Sequence, residues 1–168
     1  MNLTAILISM SSIIVSITSL LVSVVLWRHT NRPIVIARVS STDEVDIHPS
    51  LNILLENTGN RPAKNIKLIA LEKDVQRAAF QEEGNTQMPQ DAKRCFFSKV
   101  VIPVLANNKK ISSGFGYLGR GKGAWIDGSK IPITIEYYDL NNRKFIDRMD
   151  ILLVDDKGFA QSFWSLRK

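Results

Sequence analysis

Histidine and cysteine are scarce in this chain of 168 residues, which contains two histidines and one cysteine. The single cysteine, Cys95, excludes an intrachain disulfide, and its neighbours Phe96 and Phe97 favour a buried small side chain over a reactive thiol. Neither histidine, His29 nor His48, has a second ligand at the spacing of a metal site. We therefore expect no metal and no cofactor, and the sequence offers no Ser–His–Asp set for nucleophilic catalysis.

Charge, proline and glycine are all absent from the 25 residues between Leu3 and Trp27. A run of about 20 apolar residues crosses a bilayer core, and a helix satisfies every backbone amide within the lipid. We expect a retained transmembrane helix over residues 1–27, a juxtamembrane linker over 28–33 and one domain over 34–168. A cleaved signal peptide would have a basic region before a shorter apolar stretch and a small-residue cleavage site, and neither feature is present.

Basic residues lie on only one side of this apolar run. Trp27 ends the run with a side chain suited to lipid headgroups, Arg28, Arg32 and Arg38 follow, and no Lys or Arg precedes it. The positive-inside rule predicts a single-pass protein of the cell (inner) membrane with its soluble domain in the cytoplasm. Since the linker is short and Pro33 ends any continuing helix, we expect the domain to lie close to the bilayer.

Small residues recur along one face of the predicted helix. The seam consists of Ala5, Ser9, Ser12, Ser16, Ser19 and Ser23. From Ser9 onward, neighbouring members are alternately three and four residues apart. A heptad of small residues lets helices approach closely in lipid and favours a left-handed crossing. The alternative is that the hydroxyls bond only to their own helix carbonyls. We expect helix–helix association with a second copy or with another membrane protein.

Beyond Pro33 the hydrophobic period changes from that of a helix to that of a strand. Predicted strands are Ile34–Val39, Leu51–Asn57, Asn65–Leu71, Phe96–Leu105, Ile131–Tyr138 and Lys144–Val154, with a last strand or flap over 159–166. Val75–Phe80 predicts a short helix, residues 82–90 a loop, and Pro103 an edge position or a bulge. Many short strands with turn clusters between them predict an all-β, antiparallel β-sandwich.

Two stretches of the domain resemble bacterial immunoglobulin-like domains of the CARDB-like adhesion group. Residues 54–66 contain Asn-x-Gly, then Pro-Ala, then Asn-Ile, and residues 135–144 resemble a late Tyr-x-Asp hairpin, with Asn142 where glycine is usual. The resemblance implies an immunoglobulin-like sandwich and an extracellular adhesion role, which differs from the cytoplasmic location that the flanking arginines predict. Asn57 and Gly59 suit a tight turn, and Ala63 suits a crowded position.

A glycine-rich basic segment spans residues 114–123. Its first six residues match G-x-G-x-x-G, but a dinucleotide site needs a helix next, and the glycines that follow Arg120 cannot open one. Two interpretations stay open: a solvated hairpin loop, or a loop whose Arg120 and Lys122 contact lipid phosphates or an acidic partner. Asp43, Glu44 and Asp46 are too few for a calcium loop, so we expect a solvated turn there.

The charge balance is mildly basic, with 22 basic and 16 acidic residues, and it does not indicate a nucleic-acid surface. We therefore expect a non-enzymatic, membrane-anchored interaction module, in the form of a subunit or adaptor of a membrane complex. Its expected contacts are membrane lipid and a membrane protein, with no nucleic acid and no small-molecule substrate. The alternatives are a membrane-perturbing effector controlled by its soluble domain, and an exported envelope or adhesion domain.

Overall fold

The computed structural model describes residues 3–42, 49–80, 88–121 and 123–155. The chain divides into two compact units, Met1–Arg32 and Pro33–Lys168. The first unit is helix α1 (Leu3–Thr30), which contains the one described helix that is long and apolar enough to cross a membrane. Its 28 residues span about 42 Å at 1.5 Å per residue.

Helix α1 is well terminated at its C-terminal end. Arg28 and His29 lie in the last turn, where positive charge is favourable to the helix dipole. The Thr30 hydroxyl donates to the Leu26 carbonyl at 2.9 Å, and the Asn31 side chain donates to the Trp27 carbonyl at 3.1 Å. These side-chain bonds supplement the backbone bonds of the last turn, where the Trp27 carbonyl also accepts from the Asn31 amide at 2.9 Å. The helix therefore ends three residues beyond the predicted limit at Trp27.

The second unit consists of short strands and three brief helical segments. The strands are β1 (Val35–Ser41), β2 (Ser50–Asn57), β3 (Ala63–Ala70), β4 (Ile102–Leu105), β5 (Lys110–Leu118), β6 (Ala124–Trp125), β7 (Ser129–Tyr138) and β8 (Lys144–Leu153). The helical segments are α2 (Glu72–Ala78) and α3 (Gln90–Ala92), the latter continuing as a π-helical turn (Lys93–Phe97).

The strands form two four-stranded sheets, in the orders β1-β2-β5-β6 and β4-β3-β7-β8. All strand pairs are antiparallel except β5 with β6. The buried faces of both sheets contribute to one hydrophobic core, and inward residues alternate with outward ones most clearly along β2 and β7. The prediction of a mostly β domain behind an apolar helix is confirmed.

The side chain of Asn57 joins three parts of the domain. It is fully buried at the end of β2 and donates to the carbonyls of Arg61 at 2.7 Å and Leu105 at 3.1 Å. Its oxygen accepts from the amides of Ile34 at 3.2 Å and Gly59 at 3.0 Å. The amide thus satisfies backbone groups beside β1, in the β2–β3 turn and at the end of β4, which explains the Asn-x-Gly sequence.

Four sequence predictions need correction or comment. The apolar run that begins at Phe96 is not one strand, because residues 93–97 form a π-helical turn and β4 begins only at Ile102. The predicted edge position of Pro103 is confirmed, since β4 is the outer strand of its sheet. The glycine-rich segment is not one long loop, because residues 114–118 belong to β5. The predicted strand or flap over 159–166 lies outside the described residues.

Candidate functional site

A cavity of about 450 Å³ lies beside the edge strand β4 and the part of β5 that precedes its pairing with β6. We call it the edge cleft. It is lined by Ile53, Leu55, Ile66, Leu68, Arg94, Cys95, Ser98, Val100, Ile102, Ile111, Ser112 and Ser113. Its volume falls within the range of about 300–1,000 Å³ that is typical of small-molecule sites.

The floor of the edge cleft is hydrophobic core. Ile53 and Leu55 on β2 contribute from one sheet, and Ile66 and Leu68 on β3 contribute from the other. All four side chains are buried. The cavity therefore reaches between the two sheets and is not a depression on an outer face.

Strand β5 leaves this part of the core incompletely filled. Ile111 lies opposite Leu55 and Ser113 lies opposite Ile53, so both side chains share the inward face of the sheet. Despite this orientation, Ile111 is 42% exposed and Ser113 is also exposed. The inward serine is small, and the inward isoleucine lacks a complete layer of neighbours. Part of the space between the sheets is therefore unfilled, and the cleft occupies this space.

The π-helical turn places Cys95 in the wall of the cleft. The pKa of this thiol is raised to about 11, chiefly by burial and also by the charge of Asp91, while a hydrogen bond with Ser113 acts in the opposite direction. The thiol is thus protonated near neutral pH and behaves as a small apolar group. A π-helical turn is a rare distortion that often accompanies a functional site.

Arg94 alone carries a charge among the described residues that line the cleft. It is 79% exposed and forms an ion pair with Asp91 at 3.9 Å, one helical turn away. A pair this exposed contributes little stability, so the guanidinium stays available to an anion.

The cleft belongs to a stretch of sequence without acidic residues. The 35 residues from Ala92 to Ile126 contain seven Lys or Arg and no Asp or Glu, whereas the rest of the chain contains 15 basic and 16 acidic residues. This stretch includes the π-helical turn and strands β4, β5 and β6, and its Arg94 lines the cleft. This absence of acidic residues was not among the sequence predictions, although counting charged residues in a window along the chain reveals it.

Apolar side chains surround the same region of the surface. Phe97 is 43% exposed, Val100 74%, Val101 38% and Val104 58%. Exposed apolar residues that cluster beside a cavity mark interaction sites more often than scattered ones do. The edge cleft therefore combines an apolar interior, an apolar rim and a basic setting.

The predicted loop site at residues 120–122 is placed differently. Arg120 is exposed in the connection between β5 and β6, and Lys122 lies outside the described residues. The glycines of this connection have a structural explanation, because Gly119, Gly121 and Gly123 all adopt positive φ angles. Trp125, which follows this connection on β6, is fully buried and stacks on Phe115 with ring centroids 4.8 Å apart.

The predicted association seam lies on α1. Its side chains from Ser9 to Ser23 are exposed, and the hydroxyls of Ser12 and Ser16 donate to the carbonyls of Ile8 and Ser12 at 2.9 and 2.8 Å. Ser11 and Thr18, which lie off the seam, make the same kind of bond. Ala5 belongs to α1 as well.

Of the residues predicted to set orientation, Trp27 and Arg28 lie in the last turns of α1, and Trp27 is 55% exposed. Arg32 precedes the second unit, and Arg38 is exposed on β1. His29 lies in the last turn of α1, whereas His48 and the acidic residues 43–46 lie outside the described residues. Within the described ranges, no group of three or more His, Cys, Asp or Glu side chains is arranged to hold a metal ion.

Comparison with known proteins assigns the chain to a family without assigning a function. The family described as "Domain of unknown function (DUF8453)" matches residues 2–154, so the chain belongs to this family. No curated protein matches the chain, and no solved structure matches it.

Proposed function

We propose that this protein is a non-enzymatic, membrane-anchored interaction module, acting as a subunit or adaptor of a membrane complex. The observation that carries the proposal is helix α1, whose apolar side chains are exposed along its length. So many exposed apolar side chains are unfavourable in water and favourable in a bilayer. The helix ends at Thr30 and β1 begins at Val35, so the β domain follows the anchor after four residues.

The polar groups buried in the β domain support a binding role over a catalytic one. The two buried polar side chains of the described core, Asn57 and Asp139, are committed to backbone hydrogen bonds. The buried Tyr137 hydroxyl donates to the Asp147 carboxylate at 2.6 Å and thereby links β7 to β8. Such groups stabilise the fold and leave the edge cleft as the feature suited to binding.

The strand order supports an immunoglobulin-like assignment for the domain. The first, second and fifth strands share one sheet, and β3, β7 and β8 lie in the order expected of the C, F and G strands, with β4 added beside β3. Asn142, at the position where the resemblance has glycine, adopts a left-handed φ of 60° in the β7–β8 turn. Asparagine is the residue that most readily replaces glycine in that conformation.

The orientation that we propose places the β domain in the cytoplasm. Arg28, Arg32 and Arg38 follow the apolar helix, and no basic side chain precedes it. An exported domain would instead favour the envelope or adhesion role.

Assembly through the serine seam is the part of this function that a helix variant tests. The hydroxyls of Ser12 and Ser16 are already bonded within the helix, so we expect close packing of small side chains to drive association. The combined change of Ser12, Ser16 and Ser19 to Leu should abolish association of the full chain in membranes, measured by energy transfer between labelled copies and by co-purification of a partner in mild detergent.

The matched control changes Ser11 and Thr18 to Leu. Both residues lie off the seam, and both bond back to helix carbonyls at 2.8 Å, as the seam serines do. This variant should associate as the natural chain does. Equal association of all three proteins, or a solitary monomer without any partner, would contradict the proposal.

A further inference from the structure

We propose that the edge cleft binds one alkyl chain of a lipid that carries an anionic headgroup. The ligand class comprises long-chain carboxylates and acidic phospholipids, which share this chemistry. The inference rests on the proposed function only in that the membrane supplies the ligand. The interior of the cleft has the apolar character of a lipid environment, so an alkyl chain could occupy it without meeting a buried polar group.

The interior of the cleft selects for a chain. Ile53, Leu55 and Ile66 form a floor without polar side-chain atoms, and the space extends between the two sheets. A flexible alkyl chain suits such an enclosed apolar space, since each buried CH₂ group contributes about 0.8 kcal/mol. At about 450 Å³, the cavity lies in the lower half of the range of about 300–1,000 Å³ for small-molecule sites, which favours one chain over two.

The rim of the cleft selects for negative charge. Arg94 lines the cavity with most of its side chain in solvent, and Lys93 and Lys99 are exposed in the same segment. A guanidinium binds carboxylate and phosphate oxygens through paired hydrogen bonds. Asp91 is the one acid paired with this rim among the described residues, and its separation of 3.9 Å from Arg94 leaves room for exchange with a ligand anion.

An acidic, apolar peptide is the competing occupant, since the exposed valines beside β4 also suit a protein partner. The edge strands favour the lipid. Pro103 removes a backbone donor from β4, and β5 carries a bulge between its pairings with Leu51 and Asn52. Both features oppose addition of a strand at a sheet edge.

The test uses the full chain in nanodiscs of neutral phosphatidylcholine and palmitate that carries a diazirine in mid-chain. After illumination, adducts are located by mass spectrometry. We expect adducts at the residues between 94 and 113 that line the cleft. We also expect adducts in α1 from palmitate dissolved in the bilayer. Loss of the α1 adducts would contradict the membrane anchor, whereas adducts confined to α1 would overturn the lipid site.

Two isoleucines provide a matched pair of variants. Ile111, 42% exposed, lines the cleft on β5, and Ile146, 51% exposed, lies on β8 outside it. Ile111→Trp should fill the cleft and remove its adducts while those in α1 persist. Ile146→Trp should retain both sets, and equal cleft labelling of the two variants would overturn the proposal.

Two arginines test the headgroup in the same way. Arg94 and Arg77 are 79% and 78% exposed, and each pairs with an aspartate one turn away, but only Arg94 lines the cleft. Unlabelled palmitate should compete for the cleft about tenfold better than hexadecanol, because a charge-assisted hydrogen bond is lost with the alcohol. Arg94→Gln should abolish this preference and Arg77→Gln should keep it.

Cys95 gives a measurement that needs no variant. It is the single cysteine of the chain and lines the cleft, so bound palmitate should slow its modification by a maleimide. A rate of Cys95 modification that palmitate leaves unchanged would overturn the proposal. A diazirine-bearing phosphatidylglycerol distinguishes the sources: cleft adducts from it identify an intact acidic lipid, and adducts from palmitate alone identify a free carboxylate.

Discussion

At the scale of single residues, Asn57 contributes more to the stability of the fold than any other polar side chain described. Its amide makes four hydrogen bonds to backbone groups in three parts of the domain. Asn57→Ala should lower the free energy of unfolding by about 3 kcal/mol, because each unsatisfied buried group costs about 1–3 kcal/mol. Urea unfolding of the full chain in mild detergent measures the change. The control, Asn107→Ala in an exposed turn, should change it by less than about 0.5 kcal/mol.

The thiol of Cys95 makes a prediction about pH. Because its pKa is raised to about 11 by burial and by Asp91, its rate of reaction with iodoacetamide should rise about tenfold per pH unit from pH 7 to pH 10. The folded pKa exceeds the ordinary value, so the contribution of the thiol to stability is complete below pH 9 and is lost as the pH rises toward 11. A rate that levels off near pH 9 would contradict this account. Asp91→Asn should shift the profile to lower pH, whereas Asp74→Asn should leave it unchanged.

At the scale of elements, strands β5 and β6 explain why the glycine motif is structural. Gly116 adopts a φ of +102°, and a Cβ atom there would lie 2.9 Å from Nε1 of Trp125. The indole in turn donates to the Phe115 carbonyl. Gly116→Ala should destabilise the domain by about 3 kcal/mol, because strain and overpacking each cost about 1–3 kcal/mol. Gly114→Ala, with no atom within 4 Å of the added carbon, should stay within about 0.5 kcal/mol. Equal effects of the two changes in thermal or urea unfolding would refute this explanation.

The elements also show what sequence reasoning reaches. Strands β1, β2, β3, β7 and β8 were predictable because apolar and β-branched residues recur along them, with clear alternation in β3 and β7. Phe96 and Phe97 were misread as the start of a strand because an apolar run does not by itself distinguish a helix from a strand. The burial of Ala92 and Phe96, four residues apart, is the helical signal that the run concealed.

The edge cleft was beyond prediction for a different reason. Its volume depends on how far Ile111 and Ser113 fall short of filling the space between two sheets, which is a property of tertiary packing. No local pattern records a missing side-chain layer. The charge of its surroundings was readable, since the acid-free stretch from Ala92 to Ile126 is a feature of sequence alone.

At the scale of the whole molecule, a helix that is apolar enough to cross a membrane is followed by a β domain. The basic, apolar cleft of this domain suits an anionic lipid. The two parts support one interpretation, because a domain that follows its anchor after four residues is supplied with lipid by the same membrane. The exported alternative differs from this account in the side of the membrane on which the domain lies. The effector alternative shares the cytoplasmic location and differs in that helix association perturbs the bilayer.

The most direct test of the central claim is the side of the membrane on which the β domain lies. A Cys95→Ser, Asn107→Cys variant of the full chain carries one thiol at an exposed turn and can be treated with a membrane-impermeant maleimide in intact and in lysed cells. The account predicts that the chain stays in the membrane fraction after alkaline extraction and that its thiol is labelled only after lysis. Labelling in intact cells, or release of the chain from the membrane, would contradict it.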